Sequence, residues 1–400
     1  MGGMYLANTL PRHGDDLDPQ DAVTLGVAGA GRVQEFLALR EGCPTPLVAL
    51  PGLAAELGLA ALHVKDEGQR LGLGSFKALG GAYALARLVQ AEAARRLGRP
   101  VAMADLPSPQ VRAIAAGMTF ACATDGNHGR SVAQGARMMG ARAVIFVHAG
   151  VSRGRVEAIA RFGARMVRVA GNYDDSVAEA ARVAAENGWT VLSDTSWPGY
   201  EHIPGLVMQG YTAIVGEALD ALPQPPTHVF LQAGVGGFAA GVAGHLSVLL
   251  GRDRPHVTVV DPARAACLYE SARAGRVVKV AEGEPTVMAM LECYEPSLIA
   301  FRVLERVADG FMLVDEADAL EAMRRLARPV AGDAPIVAGE SGGAGLAGLL
   351  AALRAGEGAA RIGLGPQARV LVVNTEGATD PALYARLAGA SPEAVLAGTA

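Results

Sequence analysis

Only four cysteines occur in the 400 residues: Cys43, Cys122, Cys267 and Cys293. No two of them form a close pair, and no histidine joins them at zinc-ligand spacing, so no metal site is expected. A basic stripe is also missing. Lys and Arg number 35 against 40 Asp and Glu, a net charge of −5, and pairs such as Arg95-Arg96 and Arg324-Arg325 fall on amphipathic helices. Nucleic acid is therefore excluded as a partner. No apolar run reaches the ~18 residues that a membrane span requires, and the N-terminus lacks the charged-then-apolar pattern of a signal peptide. These absences lead to the expectation of a soluble cytoplasmic protein with a small-molecule partner and no membrane partner. What is abundant is apolar residue, 51%, and glycine, 51 residues. A chain of this length and apolarity exceeds one ordinary domain and suggests two α/β domains.

Residues 1–35 are polar and glycine-punctuated and read as an irregular arm. Pro44 and Pro46 forbid a helix there, and a short helix follows from Leu53. Strands at 61–65, 118–123, 143–147, 166–169 and 190–192 alternate with helices that follow the 124–129 turn through 139 and lie at 153–162 and 174–187. Residues 99–117, with three prolines, read as a connector, and 203–222 as one long helix stopped by Pro223, Pro225 and Pro226. Alternation resumes with strands at 228–232, 257–260, 311–314 and 370–374, and with helices at 316–328 and 342–353. Repeated strand-helix units imply parallel sheets flanked by helices.

Three strand-end loops carry chemistry. Gly74-Ser75-Phe76-Lys77-Ala78-Leu79-Gly80-Gly81 sets Lys77 among apolar residues and glycines before an apolar helix. A desolvated lysine there is a nucleophile toward carbonyls, although an isolated Ser-Phe-Lys reads equally as a surface helix start. Thr124-Asp125-Gly126-Asn127-His128-Gly129 brings a carboxylate, an amide and an imidazole to the end of a parallel strand, where open α/β sheets bind ligands. Capping of the next helix by Asp125 or Asn127 accounts for the same pattern. Gly234-Val235-Gly236-Gly237-Phe238 joins an apolar strand to a small-residue helix, so that successive N–H groups and a helix N-terminus face one anion, as a phosphate cup does. A dinucleotide loop would instead lie near the chain start, with an acidic residue ~20 positions on at a strand end.

These loops, with Asn172-Tyr173-Asp174-Asp175, Met208-Gln209-Gly210-Tyr211, Gly339-Glu340-Ser341-Gly342 and Thr375-Glu376-Gly377, resemble the fold-type II pyridoxal phosphate enzymes over roughly residues 35–388. Within that family the chain is most similar to the diaminopropionate ammonia-lyases. The resemblance implies an α/β fold of two domains, each with an open, mostly parallel sheet flanked by helices. A large cofactor-anchoring domain would comprise 1–84 and 202–400. A small domain, 85–201, would carry the Asp125 turn. Lys77 would hold pyridoxal 5'-phosphate as a Schiff base and then serve as base or acid at Cα. Asn127 would donate to the phenolic oxygen, and Thr375 would bond the ring nitrogen. Gly234, Val235, Gly236, Gly237 and Phe238 would hold the phosphate.

Asp125 stands where dehydratases of this family place a serine. It would serve the opposite enantiomer or the departing β-amine, and Asp194 would bind the substrate's β-ammonium. Turn or N-cap duty remains open for Asp194, and packing for His128. The reaction implied is α,β-elimination of 2,3-diaminopropionate, on either enantiomer, to pyruvate and ammonia. The alternatives are a dehydratase of serine, threonine or hydroxyaspartate-like substrates, or a lyase for another β-substituted amino acid. Met290, Glu292 and Tyr294 depart from the small residues usual around Cys293. Family resemblance also implies a homodimer, and the cysteines are expected as free thiols in a reducing cytoplasm.

Overall fold

Strands buried on both faces read as near-continuous apolar runs, and those runs form two parallel-rich sheets. The computed structural model describes residues 4–40, 44–124, 126–330 and 332–398. In chain order its strands are β1 (Tyr5–Ala7), β2 (Leu47–Ala49), β3 (Ala61–Asp66), β4 (Thr119–Ala123), β5 (Arg142–His148), β6 (Arg165–Val169), β7 (Thr190–Val191), β8 (His228–Gln232), β9 (His256–Pro262), β10 (Gly310–Val314) and β11 (Arg369–Asn374). The chain divides into two units. One comprises Met1–Val27, Pro44–Phe76 and Ile214–Ala400, and the other Ala28–Cys43 and Lys77–Ala213.

In the larger unit seven strands lie in the order β1-β10-β9-β8-β11-β3-β2. The five inner strands run parallel, and each edge is closed by a short antiparallel strand, β1 on β10 and β2 on β3. Leu62, Val64, Phe230, Val260, Met312, Val370 and Val372 form one core with Leu346, Ala347, Leu349 and Leu350 of the helix Ala344–Arg354. Gly348 lets that helix approach: a Cβ there would lie 2.6 Å from Val260. In the smaller unit β6-β5-β4-β7 is wholly parallel. Ala121, Val144 and Phe146 pack on Ala180 and Ala184 of the helix Tyr173–Asn187. Both sheets match the α/β class that the alternation of elements implies.

The helix Lys77–Leu97 is held at backbone distance in the smaller unit. A Cβ at Gly210 would meet the Leu79 carbonyl oxygen at 2.4 Å, and one at Gly135 would stand 2.8 Å from the Ala82 Cα. Small residues at these crossings seat the Lys77 helix closely against the helices Asn127–Met139 and His202–Gly210.

Three expectations need correction. The stretch 1–35 is not irregular throughout, since β1 and two helices begin within its described residues. Asp18 caps the helix Pro19–Leu25, Asp21 pairs with Arg302 at 2.8 Å, and the helix Val27–Ala38 buries Val33, Phe36 and Leu37. Of its polar residues, Asp18 caps a helix and Asp15 and Asp16 are exposed, whereas Asn8 and Asp21 are buried on partners. Within 99–117, Pro109 opens the helix Pro109–Ala115, where a proline at the first turn forfeits no hydrogen bond. The span 203–222 is two helices, His202–Gly210 and Thr212–Ala221, separated at Tyr211.

Candidate active site

Lys77 is the first residue of its helix. The chain has three lysines. Lys65 is spent in a buried network with Glu217 and Thr45, and Lys279 is exposed. The Lys77 ammonium instead donates to Asp194 Oδ2, with its side chain 21% exposed and that of Asp194 16%. Burial opposes ionisation of Asp194, yet His128 and Lys77 outweigh it and hold the carboxyl well below the usual carboxylate range. Asp194 is therefore an anion with an alkylammonium on it.

His128 backs this pair, with Nδ1 3.8 Å from Asp194 Oδ2. Its Nε2–H donates to the Leu192 carbonyl at 3.1 Å, which sets the tautomer and leaves Nδ1 toward the carboxylate. Burial lowers the His128 pKa more than Asp194 raises it, so the ring stays neutral at neutral pH. Tyr211 stands beside Lys77 and Asp194, and burial pushes its phenol far above the ordinary range. The loop carrying Asp194 is tied by Tyr200, whose hydroxyl donates to Val191 O at 2.8 Å and accepts from Ser193 N at 3.1 Å. Trp197 stacks on Tyr200 with centroids 4.1 Å apart. The sequence sets His128 in the chemistry-bearing turn and Tyr211 in a family stretch, but brings neither beside Asp194. The signal available was the Met208-Gln209-Gly210-Tyr211 stretch itself.

Asn127 begins the helix Asn127–Met139 and is buried. Asp125 lies outside the described residues. The turn around it is held by Thr124, whose hydroxyl accepts from the N–H groups of Gly126 at 3.0 Å and Gly129 at 3.1 Å. Gly129 is required, because a Cβ there would stand 2.3 Å from Thr124 Cγ2.

The larger unit holds the remaining positions. Gly234 and Val235 direct their carbonyls into the protein, toward the Cys267 thiol at 3.4 Å and the Ser297 N–H at 2.9 Å. In a trans peptide the next N–H points the opposite way, so the amides of Val235 and Gly236 are turned away from Cys267 and Ser297 respectively. Gly236, at φ 95°, takes a left-handed turn into the helix Gly237–Leu250, whose first turn carries no acidic residue. Phe238 packs on Phe76, centroids 4.8 Å apart.

Thr375 follows β11. Its N–H donates to Gly342 O at 3.3 Å and its carbonyl accepts from Phe76 N at 2.9 Å. Its hydroxyl accepts from Gln232 Nε2 at 3.0 Å. Glu292 accepts from the hydroxyl of Tyr294 at 2.8 Å and from Thr286 N at 3.1 Å, so two of the three departures around Cys293 are bound to each other and their own loop. Among the described residues the three cysteines, Cys122, Cys267 and Cys293, are free thiols.

The family model described as pyridoxal-phosphate dependent enzyme matches residues 39–376. Diaminopropionate ammonia-lyase of Escherichia coli strain K12 is 40% identical over 348 residues, covering 85% of this chain and 86% of the relative. The Salmonella typhimurium enzyme of that name is 39% identical, covering 88% and 90%. The chain belongs to the pyridoxal-phosphate-dependent enzymes, among the diaminopropionate ammonia-lyases. A crystal structure of the Escherichia coli ammonia-lyase with an aminoacrylate–pyridoxal phosphate azomethine intermediate superposes with a TM-score of 0.86 at 35% identity, over 96% of each chain.

The cofactor of this family of ammonia-lyases is pyridoxal phosphate, and the residues present suit it. The amides at Val235 and Gly236, with a helix N-terminus free of acidic side chains, would suit an anion. Gly234 keeps this turn open: a Cβ there would meet Cys293 Sγ at 2.9 Å.

Proposed function

We propose that this ammonia-lyase eliminates the β-amino group of 2,3-diaminopropionate, giving pyruvate and ammonia. The observation that carries the reading is the ionised, largely buried Asp194 already holding a primary ammonium, that of Lys77. A substrate β-ammonium has the same chemistry and would take that place once Lys77 is engaged. A β-hydroxyl offers no cation to such an anion, and this disfavours the dehydratase alternative.

Pyridoxal phosphate, when bound, withdraws electrons from the substrate's Cα. Lys77 holds the cofactor covalently and, once released, moves the Cα proton. Asp194 orients the β-ammonium, and His128, neutral and fixed by Leu192, stands behind that carboxylate. Residues 234–238 hold the phosphate, Thr375 the ring nitrogen and Asn127 the phenolic oxygen. Asp125 serves as proton carrier for the other enantiomer.

Two broader assignments belong to the same proposal. The first is a homodimer, favoured by the exposed apolar residues Val23, Val248 and Leu249 on helices of the larger unit, where Pro19–Leu25 packs against Gly237–Leu250. The second is the cytoplasm, which suits the free thiols. No helix among the described residues is long and apolar enough to cross a membrane.

The test is pyruvate release from each enantiomer of diaminopropionate beside serine and threonine. Faster turnover of the diamino acid is expected, and a preference for the hydroxy amino acids would overturn the reading. Asp125→Asn should slow one enantiomer far more than the other.

A further inference from the structure

β8 ends in Gln232, a carboxamide only 1% exposed. Its Nε2 lies 2.7 Å from Gly342 O, 3.0 Å from Val373 O and 3.0 Å from Thr375 Oγ1. The orientation of the amide is not arbitrary. Both carbonyls can only accept, and a flip would set oxygen against two oxygens. Gln232 Oε1, meanwhile, is buried with no hydrogen-bond partner. A Cβ at Gly345 would come within 2.9 Å of that oxygen, so glycine makes room for the amide to turn this way. An acceptor is thus left unsatisfied in order that one nitrogen serve three oxygens.

The consequence falls on Thr375. Its hydroxyl meets a donor and accepts there, so its own proton cannot lie along that bond. The threonine proton is left to point elsewhere. We infer that Gln232 is a positioning residue that makes the Thr375 hydroxyl a donor toward the ring nitrogen of the cofactor. The inference rests on the reading of Thr375 as the ring-nitrogen partner. An O–H donor matches an unprotonated nitrogen, so Gln232 acts on the cofactor's protonation state without touching it.

The experiment uses holoenzyme loaded with ring-15N pyridoxal phosphate. The 15N chemical shift and the visible absorbance are followed against pH for wild type, Gln232→Met, Thr375→Val and the double variant. Gln232→Met should shift the ring nitrogen in the same direction as Thr375→Val and weaken cofactor binding about fivefold, the effect of one neutral hydrogen bond. The double variant should match Thr375→Val alone. An unchanged shift in Gln232→Met, or additive effects in the double variant, overturns the inference while leaving Thr375 in its role. A silent Thr375→Val overturns the Thr375 reading and the inference with it. Should Gln232→Met not fold, Gln232→Asn withdraws the same nitrogen by one methylene while keeping an amide, and the same comparisons decide.

Discussion

The candidate groups of the two units are built from different materials. In the smaller unit the working groups are side chains carrying charge: Lys77 on Asp194, with His128 behind. In the larger unit they are mostly backbone: amides aimed by Cys267 and Ser297, and a threonine hydroxyl aimed by Gln232. A charged half adjusts which states are protonated, whereas a backbone half fixes position and varies little with pH. The contrast teaches where substitutions should act. Changes in the first should alter chemistry with little effect on folding, and changes in the second should alter folding and retention of the cofactor.

The largest effect is expected at Lys77. Lys77→Ala should remove covalent cofactor attachment and lower turnover about 1000-fold or more, since a proton carrier is lost with the anchor. Loss of the visible absorbance of the bound cofactor measures the first, and pyruvate release the second. Folding stability comparable to wild type would support the division of labour, and retained absorbance would break it. Next comes Gly342→Ala in the backbone half. A Cβ there would sit 2.3 Å from the Glu376 carbonyl oxygen and 2.5 Å from Asn374 Oδ1, and backbone cannot yield as a side-chain tip can. A loss of about 3 kcal/mol in denaturant unfolding is expected.

The same contrast explains what could be seen in the chain alone. Backbone sites advertise themselves, because glycines bunched at a strand end have few other reasons to be there, and the loop at 234–237 and the turn at 126–129 were legible for that reason. Pairs of side chains do not. Lys77 and Asp194 stand 117 positions apart, and nothing local marks them as partners. The same holds for Gln232, whose amide reads as one more strand residue until Gly342, Val373 and Thr375 are brought around it. The arm at 1–35 was misread for a different reason. Its cap, Asp18 before Pro19, and its buried positions Leu25 and Val33 were present, but intervening glycines and aspartates dilute the helical period.

Asp194→Asn is the intermediate case. It keeps the shape and removes the charge, so kcat/KM for diaminopropionate should fall about 10- to 100-fold, the range for a charge-assisted hydrogen bond. Serine turnover should change far less. Equal losses on both substrates would mean that Asp194 serves Lys77 alone, and the proposed contact with the β-ammonium would be withdrawn.

The smallest effect sharpens the comparison from the other side. Beneath the backbone half lies a second buried aspartate, Asp261, which accepts from the N–H groups of Leu268 and Tyr269, both at 2.9 Å, one and two residues beyond the Cys267 that aims Gly234. Burial pushes its carboxyl up to about 8 against those two hydrogen bonds, since no cation stands beside it as Lys77 stands beside Asp194. Below the ordinary value of 3.8 both folded and unfolded chains hold this proton. Between 3.8 and about 8 the unfolded chain releases it and the folded chain keeps it, so the folded state binds more protons and this share of stability falls as pH rises. The slope from one such group is at most about 1.4 kcal/mol per pH unit. Asp261→Asn, neutral at every pH and still able to accept from both amides, should flatten that slope by about 1 kcal/mol per unit between pH 5 and pH 7, as read by urea unfolding. An unchanged slope would show that Asp261 is ionised in the folded chain. The backbone half would then carry a buried charge of its own, and the contrast with Asp194 would fail.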